Sequence, residues 1–277
     1  MTYKVAEEGV MNNLKNKKLW LFDMDGTIYL DNDLFDGTLD LLQYIRESGG
    51  RYMFLTNNSS KSVSAYVEKL SKLGIESEEK DFFTSTDATA IYLKSKAYTK
   101  IYALGTSSFR EQLSEAGFPV TDKLENDIDC LCMGFDTELT FKKLEDACIL
   151  LNRGVDYIAT NPDWVCPTWY GYVPDCGSIS QILFNAVKRK PKFIGKPQPA
   201  MAEFAIAKSG YSKSEAILLG DRLYTDIACG VNAGISTIFV LSGEGTMGDL
   251  EKSEIKPAYV MSGVREIYNT LIECDNK

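Results

Sequence analysis

The chain has 277 residues, of which 44% are hydrophobic and 25% are charged, and it contains no histidine. Without an imidazole it can hold neither a Ser-His-Asp or Cys-His nucleophile nor the HExxH helix of zinc proteases. The formal net charge of −9 argues against nucleic acid or an anionic membrane as the main partner.

The N-terminal part of the chain alternates short apolar runs with helical patterns. The runs at 19–22 and 52–55 predict buried strands, and a helix is predicted over 38–47. Apolar side chains spaced three and four residues apart over 63–73 predict an amphipathic helix that ends at Gly74. Wholly apolar strands that alternate with helices are typical of a parallel sheet covered on both faces.

The middle of the chain, residues 88–190, repeats this alternation. Strands are predicted over 101–104, 130–133 and 157–159, and helices over 109–116 and 141–152. We interpret this segment as a second α/β domain, inserted into a first domain that comprises residues 1–87 and 191–277. The length of the chain agrees with about two domains of roughly 150 residues each.

After residue 190 the pattern of the first domain returns. The predicted elements are a strand at 193–194, a helix that begins at Pro199, a strand at 217–219, a helix over 227–233 and a strand over 237–241. We assign all of them to the sheet of the first domain.

Four of the predicted strands run directly into polar residues that suit phosphate chemistry. These are Asp23 and Asp25 after strand 19–22, Thr56 and Asn57 after strand 52–55, Lys196 after strand 193–194, and Asp221 and Asp226 after strand 217–219. In an open parallel sheet, ligands bind outside the carboxyl ends of the strands. We therefore expect these side chains to converge on one crevice.

The four aspartates of this set require a cation. Two like charges about 4 Å apart repel by about 4 kcal/mol at an effective dielectric constant near 20. Oxygen ligands without His or Cys favour Mg²⁺, while Lys196 and Thr56 offer a positive charge and a donor for phosphate oxygens. Asp23 is then the predicted nucleophile that forms an aspartyl-phosphate. Asp25 is the predicted acid that protonates the leaving oxygen and later activates water.

These motifs resemble the haloacid dehalogenase (HAD) superfamily, and most strongly its NagD-like and p-nitrophenyl-phosphatase-like subgroup. The matching segments are Asp23-Met24-Asp25-Gly26-Thr27, Thr56-Asn57-Asn58, Lys196 and Gly220-Asp221-Arg222-Leu223-Tyr224-Thr225-Asp226. The resemblance implies a Rossmann-like parallel-sheet core, with an α/β cap domain inserted between the threonine and lysine motifs.

The resemblance also implies a role for each matching residue. Asp23 is the nucleophile, Asp25 the general acid and base, and Thr56, Asn57 and Lys196 bind the phosphoryl group. The Asp23 carboxylate, the Asp25 backbone carbonyl and Asp221 hold Mg²⁺, with Asp226 as a supporting acid. In the cap, the residues expected to contact substrate are Asp175, Asn161 and Asp163.

The sequence therefore predicts a Mg²⁺-dependent phosphatase that hydrolyses a small organic phosphate monoester, such as a sugar phosphate, a glycerol phosphate or a nucleotide. Two alternatives stay open: a phosphotransferase such as a phosphomutase, and a non-catalytic protein that binds a phosphometabolite. We expect a small phosphorylated metabolite as partner, neither nucleic acid nor membrane, and a monomer or homodimer.

Cysteine usage and apolar runs indicate the compartment. Seven cysteines, an odd number, occur without a Cys-x-x-Cys pair, which is typical of reduced thiols. Residues 1–18 lack the apolar stretch of a signal peptide, and no apolar run is long enough to span a bilayer. We therefore expect a cytoplasmic protein, and inert thiols at Cys166 and Cys176 because no histidine can activate them.

Two further segments attract attention. Residues 243–248 match GxGxxG, but they follow the last long strand, so we predict a flexible surface loop instead of a dinucleotide site.

Aromatic residues also cluster in the inserted domain, where they either pack in its core or contact the leaving group. They are Trp164, Trp169, Tyr170 and Tyr172.

Overall fold

The computed structural model describes residues 13–275, which divide into two compact units. The first unit holds the described residues up to Leu55, then Lys69–Phe83 and the residues from Pro197 onward. The second unit holds Thr56–Glu68 and Thr84–Lys196. Among residues 13–275, no helix combines the length and the apolar character needed to cross a membrane.

The elements follow one another as short strands and helices. The strands are β1 (Leu19–Phe22), β2 (Tyr29–Leu30), β3 (Asp33–Leu34), β4 (Arg51–Thr56), β5 (Phe82–Thr84), β6 (Ile101–Leu104), β7 (Val120–Thr121), β8 (Cys130–Met133), β9 (Asp156–Ala159), β10 (Val165–Thr168), β11 (Gly171–Pro174), β12 (Lys192–Phe193), β13 (Ala216–Gly220), β14 (Ser236–Val240) and β15 (Tyr259–Met261). The helices are α1 (Thr38–Glu47), α2 (Val63–Lys72), α3 (Ser85–Lys94), α4 (Ser107–Glu115), α5 (Phe141–Arg153), α6 (Cys176–Val187), α7 (Ala200–Ser209), α8 (Ala228–Ala233), α9 (Met247–Lys252) and α10 (Val264–Asp275).

A six-stranded sheet in the order β15-β14-β13-β1-β4-β5 forms the centre of the first unit. Strand β1 lies in the middle and pairs in parallel with β13 on one side and β4 on the other. All four residues of β1 and all five of β13 are buried. This explains their wholly apolar sequences, because both faces of the sheet are covered.

A five-stranded parallel sheet in the order β12-β9-β8-β6-β7 forms the core of the second unit. Its helices have clear end signals. The Thr140 hydroxyl accepts the Lys143 N–H at the start of α5, and Gly154 ends that helix with a φ of +89°. Strands β10 and β11 form a separate antiparallel hairpin.

The parallel-sheet α/β fold that the sequence predicts is confirmed. One predicted strand joins a different sheet: β12 pairs with β9 of the second unit, not with the sheet of the first unit. A two-residue strand carries too little pattern to show which sheet it joins. The predicted domain ranges, 1–87 with 191–277 and 88–190, stay a prediction.

Candidate active site

Asp23 follows the central strand of the first sheet. Its backbone N–H donates to the Leu219 carbonyl of β13 at 2.9 Å, so the residue is anchored between two strands. A tight turn comes next, in which the Thr27 and Ile28 N–H groups both donate to the Met24 carbonyl, at 3.1 and 3.0 Å. Gly26 lies in this turn with a φ of +87°, a conformation that favours glycine.

Asp221 and Asp226 approach Asp23 from the neighbouring strand. Asp221 follows β13, and Asp226 lies in a π-helical turn, Leu223–Ile227, of the kind that often marks functional sites. One carboxylate oxygen of each of the three aspartates lies within 4.8 Å of the other two. The close approach needs Gly220, because a Cβ there would lie 2.2 Å from the Cβ of Asp226.

The carboxylate of Asp221 is buried, with 2% of the residue exposed. Burial, and then the charge of Asp226, raise its pKa to about 7. One oxygen, Oδ2, accepts the Glu244 N–H at 2.7 Å, whereas Oδ1 is buried without a hydrogen-bond partner. A buried acceptor without a hydrogen-bond partner is costly unless a cation meets it. The three aspartates therefore fit a hard divalent cation with oxygen ligands.

Asp25 follows Asp23 by two residues, and its side chain has its own neighbours. The Tyr29 hydroxyl donates to Oδ2 of Asp25 at 3.4 Å, and Nζ of Lys69 lies 3.7 Å from Oδ1. The same ammonium lies 3.7 Å from the centroid of the Tyr29 ring, which is a cation–π contact. A quarter of the Asp25 side chain is exposed, so it can exchange protons with a bound molecule or with water.

The second unit contains the predicted phosphate-binding residues, and Asn57 organises them. Its Nδ2 donates to the Lys196 carbonyl at 3.0 Å, and its Oδ1 accepts the Lys196 N–H at 2.8 Å. The side-chain amide of Asn57 therefore holds both the N–H and the carbonyl group of Lys196. Thr56, Asn57 and Lys196 are all buried, and the Thr56 hydroxyl accepts the Asn58 N–H at 3.1 Å.

The predicted substrate residues of the second unit have structural partners instead. Asn161 donates to the Asn57 carbonyl at 2.7 Å and accepts the Asp163 N–H at 3.0 Å, while Asp163 accepts from Asn57 at 3.1 Å. Asp175 is buried and caps helix α6 by accepting the Cys176 N–H. These hydrogen bonds hold the loops of the second unit in place, as buried polar groups commonly do, and contact of the three residues with substrate stays a prediction.

The aromatic cluster is exposed on and beside the β10–β11 hairpin, which excludes core packing, one of the two alternatives that the sequence leaves open; contact with the leaving group stays a prediction. The exposed fractions are 51% for Trp164, 81% for Trp169, 64% for Tyr170 and 58% for Tyr172. Cys176 is buried, and burial raises the pKa of its thiol to about 12. Its sulfur therefore stays protonated, as expected for an inert thiol.

Residues 243–248 are predicted as a flexible surface loop; in the structure residues 243–246 form a partly exposed loop and the last two residues begin helix α9. The Ser242 hydroxyl donates to the Gly26 carbonyl at 2.8 Å, and the next residues pack on Asp221. The glycines indicate a close approach in this loop, but no sequence pattern indicates which side chain they approach. Lys69 was also missed, because a lysine in an amphipathic helix has the pattern of a solvent-exposed residue.

Comparison with known proteins agrees with this geometry. A family model described as haloacid dehalogenase-like hydrolase matches residues 20–119, and one described as HAD-hydrolase-like matches residues 193–267. An acid sugar phosphatase of Staphylococcus haemolyticus is 34% identical over 247 residues, which cover 89% of this chain and 93% of the relative.

Solved structures give the same result. The 4-nitrophenylphosphatase of Thermotoga maritima is 40% identical with a TM-score of 0.87, and the match covers 94% of this chain and 99% of that one. NagD of E. coli K-12 is 30% identical with a TM-score of 0.81, covering 90% and 98%. The chain therefore belongs to the haloacid dehalogenase-like hydrolases, in their NagD-like and p-nitrophenyl-phosphatase-like branch of phosphatases.

Proposed function

We propose that the protein is a Mg²⁺-dependent phosphatase that cleaves a small organic phosphate monoester through an aspartyl-phosphate. The observation that carries this proposal is the cluster of Asp23, Asp221 and Asp226 after β1 and β13, with Asp25 two residues after Asp23 in the chain. A nucleophile, a proton donor and a cation site are thus available without histidine.

Two aspartates carry the proposed reaction. A carboxylate oxygen of Asp23 attacks phosphorus, the bond from phosphorus to the ester oxygen breaks, and Asp25 gives its proton to that oxygen. Asp25 then takes a proton from water, whose oxygen attacks phosphorus and releases inorganic phosphate and the Asp23 carboxylate. Mg²⁺ held by Asp23, the Asp25 carbonyl and Asp221 would neutralise negative charge on the phosphoryl oxygens.

The phosphoryl-binding roles are assigned to Thr56 and Lys196, which supply a hydroxyl donor and a positive charge. Asn57 is assigned a different role from the one predicted. Both polar atoms of its side chain bond to other groups of the protein, so we propose that it positions Lys196 instead of binding phosphate directly.

The proposed substrates are sugar phosphates first, in line with the acid sugar phosphatase named above; other small phosphomonoesters form the comparison set. A panel of glycerol phosphates, sugar phosphates, nucleotides and pyridoxal phosphate, compared by kcat/KM, tests this choice. Highest kcat/KM for a sugar phosphate supports it, and a preference for nucleotides contradicts it.

Activity itself is tested with p-nitrophenyl phosphate. We expect release of inorganic phosphate that stops with EDTA, returns with Mg²⁺ and is absent in Asp23→Asn. Asp122→Asn is the matched control, because this exposed side chain lies 3.7 Å from Arg110 on the surface of the second unit. Turnover that survives both chelation and Asp23→Asn contradicts the mechanism. Transfer of phosphate to an added acceptor indicates a phosphotransferase, and tight binding without release indicates a non-catalytic protein.

We also propose a cytoplasmic location, and a small metabolite as partner instead of nucleic acid or a membrane, for a monomer or homodimer. No disulfide joins the six cysteines whose side chains the structure describes, which supports the location, and the net charge of −9 supports the choice of partner.

A further inference from the structure

The loop Ser242–Gly245 follows β14 and wraps the carboxylate of Asp221. The Glu244 N–H donates to Oδ2 of Asp221 at 2.7 Å, and the Gly245 N–H donates to the Asp221 backbone carbonyl at 3.0 Å. The side chain and the main chain of one acidic residue are therefore both held by backbone donors of this loop. The loop belongs to the GxGxxG match, for which the proposed reaction has no use.

Close packing explains the first two glycines of this motif. A Cβ at Gly243 would lie 2.0 Å from Oδ2 of Asp221, and a Cβ at Gly245 would lie 2.4 Å from the Asp221 carbonyl oxygen. Any side chain at either position would push the loop away from Asp221. The glycines are thus required by contact with this aspartate.

An ion pair joins this loop to the loop after β13. Nε of Arg222 lies 2.8 Å from Oε2 of Glu244, and these side chains are 10% and 29% exposed. The Tyr224 hydroxyl lies 3.4 Å from the other oxygen of Glu244. The Arg222 N–H also donates to Oδ2 of Asp226 at 3.0 Å. The pair therefore connects two loops that both touch the aspartate cluster.

The two carboxylate oxygens of Asp221 differ in their hydrogen bonds. Oδ2 is held by the Glu244 N–H, while Oδ1 has no hydrogen-bond partner and is buried. A carboxylate fixed through one oxygen presents the other in a defined direction, which is how outer groups orient metal ligands.

We propose that Glu244 and Arg222 are positioning residues of the cation site: their ion pair holds the 242–245 loop, so that the Glu244 N–H fixes Asp221 with Oδ1 directed to the cation. This inference rests on the cation site of the proposed function. It adds two residues whose own side chains do not need to touch the cation or the substrate.

Direct cation binding tests the proposal without reference to turnover. Mn²⁺, which accepts the same oxygen ligands, is titrated into the metal-free full-length protein, and free Mn²⁺ is read by electron paramagnetic resonance. Glu244→Gln keeps the size and the backbone N–H but removes the charge, and we expect its Mn²⁺ affinity to fall about 10–100-fold. Glu251→Gln is the matched control, since it removes one exposed negative charge from helix α9, and its affinity should match the wild type.

The partner residue gives a second test. Arg222→Gln should lower the Mn²⁺ affinity by a similar factor. The double variant should bind Mn²⁺ no more weakly than either single variant, because both substitutions break the same ion pair. Unchanged Mn²⁺ affinity in Glu244→Gln overturns the proposal, and so does a lower melting temperature with unchanged affinity, which shows a purely structural pair. If the wild type itself binds no Mn²⁺, the cation site of the proposed function fails.

Discussion

Asp221 gives the sharpest prediction, because the same burial that prepares it for a cation makes it costly without one. Its pKa in the folded protein is raised from an ordinary 3.8 to about 7. At a pH below the pKa of Asp221 in the unfolded protein, the residue is protonated in both the folded and the unfolded protein, so its ionisation does not change the free energy of unfolding. As the pH rises toward 7, the unfolded state releases the proton that the folded state retains, so stability falls.

The size of this effect follows from the shift. About three pKa units correspond to about 4 kcal/mol, lost between the unfolded pKa and the folded pKa. Asp221→Asn cannot ionise, so in EDTA it should be more stable than the wild type by up to about 4 kcal/mol at neutral pH and above. For a protein of this size that is about 10 °C in melting temperature. The difference should vanish near the unfolded pKa.

The assay is thermal unfolding of both proteins in EDTA and in Mg²⁺, from about pH 4 to about pH 8. Added Mg²⁺ should raise the melting temperature of the wild type most at high pH, where Asp221 is charged, and should not raise that of Asp221→Asn. Equal melting temperatures of the two proteins in EDTA at every pH would show that Asp221 has no raised pKa, and an Asn variant that is less stable at pH 8 would show the same.

Three further substitutions test other parts of the structure. Gly26→Ala places a Cβ 2.4 Å from Oδ2 of Asp221 at a φ of +87°. We expect the free energy of unfolding to fall by about 1–3 kcal/mol and Mn²⁺ binding to be lost, and wild-type unfolding and Mn²⁺ titration curves would contradict this. Asn57→Ala removes the side chain that hydrogen-bonds to both backbone groups of Lys196, and urea unfolding should show a free energy of unfolding lower by about 2–4 kcal/mol. An unchanged free energy of unfolding would contradict the positioning role of Asn57. Trp169→Ser changes a side chain that is 81% exposed, so stability should change by less than about 0.5 kcal/mol; a larger loss would show that Trp169 is packed.

The sequence predicts those parts of the site that depend on chain-local pattern. Strand β1 is wholly apolar and ends at Asp23, and a parallel sheet must present such ends along one edge. The positions of Asp221 and Asp226 after β13 follow by the same argument. The capping role of Asp175 is also visible in the sequence, since an aspartate directly before a helical segment is a preferred N-cap.

Other features depend on contacts between distant parts of the chain. The loop at Gly243 meets Asp221 across 22 residues of sequence, and only the fold shows that they touch. The exposure of Trp169 depends on the absence of a covering element, which no local pattern reports. Strand β12 is two residues long, so only its pairing with β9 reveals its sheet.

In the proposed reaction Asp23 carries the phosphoryl group, and the Asp25→Asn variant allows this to be measured directly. With p-nitrophenyl phosphate the leaving group departs without a proton, so attack by Asp23 proceeds, while hydrolysis of the intermediate lacks its base. After acid quench and digestion, mass spectrometry should find one phosphoryl group on Asp23 in the Asp25→Asn protein, and none in Asp23→Asn. A variant that turns over substrate while Asp23 stays unmodified, or a phosphoryl group on another residue, would contradict the account.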